Sequence, residues 1–156
     1  MEAAQDPATR VLRRFRIVFN AVKSHFREIE RQTSVGGAQL WALAVIAETP
    51  GVGMNALAKA MDIRQSTASN LVKSLIERGY VLPEKGEQDR RTTLLTLLPA
   101  GAAVLENAPA PFAGVLPVAL TRLDPTVLLR LDQDLATLIA ALEADERAAQ
   151  TLLAEL

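Results

Sequence analysis

The sequence contains no cysteine and only one histidine, His25. The lack of cysteine excludes a disulfide framework, a thiolate-ligated metal site and a thiol-based redox switch. A single histidine does not favour a histidine-rich metal centre, and neither a glycine-rich phosphate loop nor a paired-carboxylate pattern is present. We therefore expect no metal and no cofactor, and we expect that the protein is not an enzyme.

Long hydrophobic runs are lacking as well. The sequence has no stretch of about 18 apolar residues, and its N-terminus does not join a basic segment to an apolar one. These absences predict a cytoplasmic protein without a membrane partner. Aromatic residues make up only 4 % of the chain, although hydrophobic residues make up 49 %. Most of the hydrophobic residues are alanine and leucine, which favour helices.

Charge is unevenly distributed along the chain, although the formal net charge is only −1. Seven basic and two acidic residues lie between Arg10 and Arg31, whereas three basic and eight acidic residues lie between Thr92 and Leu156. Two interpretations remain open: attraction between a basic N-terminal helix and an acidic C-terminal one, or two solvated faces. For nucleic-acid binding, the distribution of charge matters more than its sum.

Apolar spacing predicts three helices in the first part of the chain. The first runs from about Pro7 to Arg31, where apolar residues recur at steps of three and four. A second helix is expected over Gly37–Glu48 and a short third helix over Met54–Met61. The stripe of the first helix, which needs a partner to bury it, comprises Val11, Phe15, Val18, Val22, Phe26 and Ile29.

The fourth predicted helix, Gln65–Arg78, has an apolar side and a small polar side at helical spacing. Gly79 is suited to end it. The β-prone segments Tyr80–Leu82 and Arg91–Leu97 flank the polar loop Pro83–Gln88, which predicts a β-hairpin. A short helix, a turn, a second helix and a hairpin, in that order, are typical of a winged helix-turn-helix.

The chain returns to helix after the hairpin. Residues 100–106 are helical by propensity, but Pro109, Pro111 and Pro117 must either break or kink the fifth helix. The pair Asp124-Pro125 is a strong helix start. A heptad-like seam follows, in a run that the pattern extends to Leu152 and Leu153; its members are Leu128, Leu131, Leu135, Leu138 and Leu142.

The polar side of the fourth helix is the candidate DNA-reading face. Asparagine and glutamine can pair bidentately with adenine, and serine and threonine can bond to several bases. Basic residues at its two ends are placed to meet phosphates. The alternative is an ordinary solvated helix face. With the two arginines of the hairpin, the predicted DNA-binding residues are Arg64, Gln65, Ser66, Thr67, Ser69, Asn70, Lys73, Arg90 and Arg91.

The hairpin loop ends in Asp89-Arg90-Arg91. Arginines on a loop can enter a narrow minor groove. Because alternate residues of an extended backbone share a face, Asp89 is expected to support the wing by orienting Arg91. Without the helix that precedes it, the same cluster would be typical of a solvated turn.

The segments Arg64–Val81, Asp89–Arg91 and Pro99–Gly101 resemble the recognition helix, the wing and the start of the fifth helix of the MarR family of bacterial transcription factors. The resemblance implies six helices, a three-stranded winged motif and a homodimer built from the first, fifth and sixth helices. It also implies a palindromic operator, usually repression, and Arg91 as the minor-groove contact. One departure is Leu98, which replaces the threonine expected at a helix start.

We therefore predict a mainly α single domain over residues 1–156, with about six helices and a small β-hairpin wing. The winged helix-turn-helix lobe is expected over residues 38–98, and dimerisation helices over residues 7–33 and 99–156. The predicted function is that of a sequence-specific DNA-binding transcriptional regulator, with repression as the expected mode and activation left open. Its expected partners are a palindromic double-stranded DNA operator and a second copy of the chain, with or without release by a small-molecule effector.

Two points stay open at this level. His25 and Trp41 are candidates for an effector pocket. The same sequence is equally compatible with a polar histidine at an interface and a tryptophan in the core. The alternative function is a winged-helix protein–protein interaction module without operator binding. A small charge surplus in the central region keeps this alternative open, with seven basic and five acidic residues from Met54 to Arg91.

Overall fold

The computed structural model describes residues 6–155. Over that range it contains seven α-helices and one antiparallel three-stranded sheet, which confirms the mainly α winged-helix prediction. In chain order the elements are α1 (Pro7–Thr33), α2 (Gly37–Glu48), β1 (Val52–Gly53), α3 (Met54–Met61), α4 (Gln65–Glu77), β2 (Val81–Lys85), β3 (Thr93–Leu97), α5 (Pro99–Asn107), α6 (Val115–Thr121) and α7 (Pro125–Ala141).

The main hydrophobic core lies between α2, α3, α4 and the sheet. Helix α2 is apolar around much of its circumference because it is covered by α4 on one side and by β3 and α5 on others. Side chains from all these elements are almost fully buried, and burying each one contributes about 1.5–3 kcal/mol. The largest of them in this core are Leu43, Ile46, Leu57, Met61, Leu75 and Leu95.

The predicted helix starts are confirmed by capping bonds. The Asp6 carboxylate accepts a hydrogen bond from the Thr9 backbone N–H at 3.2 Å, and the Asp124 carboxylate accepts one from the Thr126 N–H at 2.8 Å. Each cap is followed by a proline, whose missing N–H would have no helical partner at that position. Leu98, in contrast, makes no side-chain capping bond at the start of α5.

The wing sheet has the strand order β1-β3-β2. Strand β2 continues to Lys85, so the prediction that Pro83, Glu84 and Lys85 lie in the loop was wrong. Strand β2 is an edge strand, and its Pro83 pairs with Leu95 of β3. The N–H that proline lacks would face solvent at this position, so no hydrogen bond between strands is lost.

The fifth predicted helix is broken rather than kinked. Helix α5 ends at Asn107, since Ala108 is extended ahead of Pro109, and α6 starts after Gly114 at φ 102°. Pro117 is the third residue of α6, where its absent N–H has no intrahelical acceptor in any case. The break gives seven helices where about six were expected.

The last helix is shorter than predicted. Helix α7 ends at Ala141, and Glu143 adopts a left-handed φ of 53°, so the predicted helical run to Leu152 and Leu153 was wrong. Two short 3-10 helices follow, Glu146–Gln150 and Leu153–Glu155. We call residues 142–155 the C-terminal arm.

Candidate DNA-binding surface

Helix α4 is positioned by its apolar side. Ala68, Leu71, Val72 and Leu75 are buried against the core. The polar residues of α4 lie on the opposite side and face solvent, because residues three and four positions apart share one face of a helix. Of the predicted α4 contacts, Thr67 is half-buried, and the exposed ones are Gln65, Ser66, Ser69, Asn70 and Lys73.

Two polar contacts hold the C-terminal half of α4. The Gln39 side chain on α2 donates a hydrogen bond to the Ser74 hydroxyl at 2.8 Å. Arg78 donates to the backbone carbonyl of Ser34 at 3.1 Å, and its guanidinium lies 5.1 Å from the centre of the Tyr80 ring. These bonds join α4 to α2 and to the end of α1, so the reading face keeps a defined orientation relative to the rest of the lobe.

The wing tip is ordered by a compact set of bonds. The Asp89 carboxylate accepts from the backbone N–H of Arg91 at 3.0 Å, and the Asp89 carbonyl accepts from the Thr92 hydroxyl at 2.7 Å. The Gly86 N–H donates to the Thr92 carbonyl at 3.1 Å. A Cβ on Gly86 would lie 2.8 Å from the Asp89 carbonyl oxygen, so the tip can close only around glycine.

The expected geometry of Asp89 and Arg91 needs correction. Residues 89–92 form a turn, and β3 begins only at Thr93, so the two side chains do not share the face of an extended strand. Asp89 instead acts on the backbone of the turn that carries Arg90 and Arg91. Both arginines are exposed.

An open cleft of about 460 Å³ joins the wing to the helix-turn-helix. Gln65, at the first position of α4, lies on one side of this cleft, and Arg91 lies on the other. Asn55, at the second position of α3, also lines it and was missed by the sequence interpretation. A polar residue in the first turn of the helix that precedes the recognition helix was the available signal.

Arg64 and Thr67 lie on a different side of the α4 N-terminus. They line a second cleft together with residues of the C-terminal arm. The predicted DNA-binding residues therefore do not all face the wing cleft: Arg64, although exposed, and the half-buried Thr67 lie beside the arm.

The comparison with protein families matches the part of the chain that contains α4 and the wing. The sequence profile of the MarR family matches residues 33–92, which run from the end of α1 through the wing tip. This segment of the chain is therefore similar to the MarR family. The same region is 38 % identical over 63 residues to a protein of Thauera aromatica named as a putative transcriptional regulatory protein for the hcr operon. That match covers 40 % of this chain and 38 % of the relative.

Solved structures extend the fold similarity beyond residues 33–92. A MepR-like protein complexed with pseudoligands has a TM-score of 0.60 at 20 % identity, covering 84 % of this chain and 94 % of the other. A mutant MarR from E. coli complexed with operator DNA has a TM-score of 0.55 at 20 % identity, covering 65 % and 75 %. At this identity the likeness concerns the fold.

The two candidate effector residues, His25 and Trp41, are separated in this fold. Trp41 lines an apolar cavity of about 200 Å³ between α1, α2, α6 and the C-terminal arm. His25 does not line that cavity; its Nε2 atom lies 2.9 Å from the Pro111 carbonyl oxygen, in the segment between α5 and α6. Phe26, the neighbour of His25, lies in the cavity wall instead.

Within residues 6–155, no group of three or more acidic or histidine side chains is close enough to hold a metal ion. None of the helices described there is both long and apolar enough to cross a bilayer.

Proposed function

We propose that this protein is a sequence-specific DNA-binding transcriptional regulator. The observation that carries the proposal is the cleft in which the exposed start of α4 and the arginine-bearing wing face each other. In a winged helix-turn-helix, the second helix enters the major groove and its N-terminal residues contact base edges. The wing then lies over the adjacent backbone and minor groove.

Roles follow from the side chains on each element. Gln65 and Asn70 are the candidates for bidentate contacts with adenine, whereas Ser66 and Ser69 allow close approach to the groove floor. Arg64, Thr67 and Lys73 are assigned to phosphates, together with Asn55. Arg90 and Arg91 are assigned to the minor groove or its rim, with Asp89 holding the turn that presents them.

A homodimer is part of the proposal. Helix α7 has no buried residue among those described, although it carries a leucine seam. On α1, Phe19 is 54 % exposed and stacks on Phe15, with ring centroids 6.1 Å apart. A second copy supplies the missing cover for both helices, and twofold symmetry would set two copies of α4 about 34 Å apart, to match a palindromic operator.

Replacing Phe19 with aspartate is expected to convert the dimer into a monomer. A charge at the centre of a self-complementary interface is introduced twice, so we expect the dimer dissociation constant to rise at least about tenfold. Sedimentation should give twice the 16.8 kDa chain mass for the wild type and a single chain for the variant. The matched control is Asn20→Asp, an exposed polar position about 100° around α1 from Phe19, which should stay dimeric. A monomeric wild type would contradict the proposal.

Regulation is proposed to be repression, in the cytoplasm, with release by a small molecule in the Trp41 cavity. The cavity lies where α1 and α6 meet the lobe. An effector there changes operator affinity only through different affinities for the two shapes of the dimer. The mainly apolar lining favours an apolar or aromatic effector over a strongly charged one.

The deciding experiment selects genomic fragments on the purified protein at physiological salt, beside an Arg91→Ala variant. We expect a short palindrome to be enriched by the wild type and its affinity to fall about tenfold in the variant, because one minor-groove guanidinium is lost. Glu84→Ala, an exposed strand position near the tip, serves as the control for wing substitution. Retention of fragments without any shared sequence would contradict sequence-specific regulation.

The protein–protein interaction module remains the second candidate. The observation that favours it is the modest surplus of seven basic over five acidic residues between Met54 and Arg91. Salt dependence separates the two functions, since log affinity falls linearly with log salt when phosphates are contacted. A partner bound through an apolar interface would respond weakly to salt.

A further inference from the structure

The C-terminal arm lies on the DNA-binding lobe of its own chain. Its half-buried residues Leu152 and Ala154 pack against the main core. A Cβ built on Gly37, the first residue of α2, would be 3.1 Å from the Ala154 Cβ. The arm therefore sits directly on the start of α2, anchored by two apolar side chains.

The polar part of the arm reaches the start of the recognition helix. The Arg64 Nε donates a hydrogen bond to the Gln150 Oε1 at 3.2 Å. Arg64 and Thr67 form one wall of a cleft of about 330 Å³, and arm residues, among them Asp145 and Glu155, form the other. Arg64 is the residue immediately before α4, so this contact occupies the N-terminal end of the proposed reading helix.

The charge of the arm suits that position. It contains four acidic residues and one arginine, Arg147. Hydrogen bonds from Arg147 hold the pKa of Asp145 below its ordinary value, and the positive charge of Arg64 adds a smaller effect in the same direction. A helix N-terminus carries a partial positive charge that favours anions. Carboxylates of the arm thus lie where DNA phosphates would approach Arg64.

We infer that the C-terminal arm is an autoinhibitory segment that competes with DNA for Arg64 and the adjacent start of α4. The inference rests on the proposed function, because inhibition requires that Arg64 meets a phosphate. Binding of a duplex would displace Gln150 and the acidic side chains and release the arm from the lobe. The anchor at Leu152 sets how often the arm is closed.

The expected inhibition is modest. The contact is exposed and rests on one hydrogen bond and two apolar side chains, so the arm opens readily. When only a fraction of molecules is competent, the apparent dissociation constant rises by the inverse of that fraction. If the arm is closed in about four molecules of five, its release raises DNA affinity about fivefold.

Trp41 provides an independent readout of the arm. It is the only tryptophan, and it lines the same cavity as Leu152 and Ala154. We would measure its emission and the affinity for a random-sequence 30-base-pair duplex (about three helical turns) at low salt. In Leu152→Asp, we expect red-shifted emission and about fivefold tighter binding. The added negative charge alone would weaken binding, so a gain cannot be an effect of charge.

Two further variants complete the experiment. Gln150→Ala keeps the anchor and removes the bond to Arg64, so a smaller gain of about twofold is expected. Ala144→Asp adds the same charge at an exposed arm position and should not raise affinity. In the wild type, added duplex should shift the Trp41 emission, whereas in Leu152→Asp the emission should already be shifted.

The outcomes separate the two proposals. Tighter binding with shifted emission supports autoinhibition. Shifted emission with unchanged affinity overturns it but leaves DNA binding intact, and so does the absence of both effects in Leu152→Asp. If no variant binds the duplex in a salt-dependent manner, the proposed function fails, and autoinhibition fails with it.

Discussion

Replacing Gly101 with valine is expected to lower the free energy of unfolding by about 3 kcal/mol or more. Gly101 is buried in the first turn of α5, beneath the hairpin. A Cβ there would lie 2.5 Å from the Tyr80 carbonyl oxygen and 2.8 Å from the Leu97 Cδ1. The carbonyl cannot move aside easily, because it already accepts the Leu98 N–H at 2.9 Å.

Thermal and urea unfolding would measure this loss, with Ala103→Val as the control. Ala103 is exposed on the same helix, so valine there brings only the small propensity penalty of a β-branched residue. For a chain of this size, we expect the midpoint of Gly101→Val to fall by about 10 °C. An unchanged midpoint would mean that α5 does not approach the Tyr80 carbonyl so closely in solution.

The spacing of apolar residues was sufficient to predict the bounds of α2 and α3. The predicted bounds of α2 and α3 agree with the structure, because each combines an apolar pattern with a clear stop. Thr49-Pro50-Gly51 ends α2, and Asp62 closes α3 with a left-handed φ of 54°. The winged order of elements followed from local signals of this kind.

Long-range packing decided what local signals could not. Proline spacing left a kink and a break equally open, and the contacts of α6 with α1 accompany a break. The residues after Ala141 have high helix propensity, but Leu152 and Ala154 gain burial only if the chain turns back onto the lobe. Tertiary burial outweighs propensity in such a segment.

The candidate DNA-binding surface, like the fold, was only partly predictable from local signals. The polar face of α4 was predictable from helical spacing, since burial of Ala68 and Leu75 directs Ser66 and Asn70 outward. The contact of Arg64 with the arm joins residues 86 positions apart, which periodicity does not detect. The turn built by Asp89 was missed because the hairpin tip was taken as extended.

Aspartate at Ser66 is expected to reduce affinity for the selected operator about 100-fold, or about 2.7 kcal/mol. Ser66 is exposed at the second position of α4, where the proposed complex places base edges and phosphates closest to the helix. A carboxylate there faces the negative charge of DNA in a desolvated contact. The same carboxylate favours the folded helix, because it lies at the positive end of the helix dipole.

Because Ser66→Asp is expected to weaken DNA binding but not to lower stability, it tests the DNA-reading face of α4 specifically. Unfolding should show equal or slightly higher stability for Ser66→Asp, so lost binding cannot come from lost structure. Ala100→Asp is the matched control, with an exposed carboxylate at the second position of α5, at the far end of β3 from the wing tip. If Ser66→Asp binds the operator as tightly as the wild type, the N-terminal face of α4 does not enter the groove. DNA contact would then have to be sought at the wing and α3.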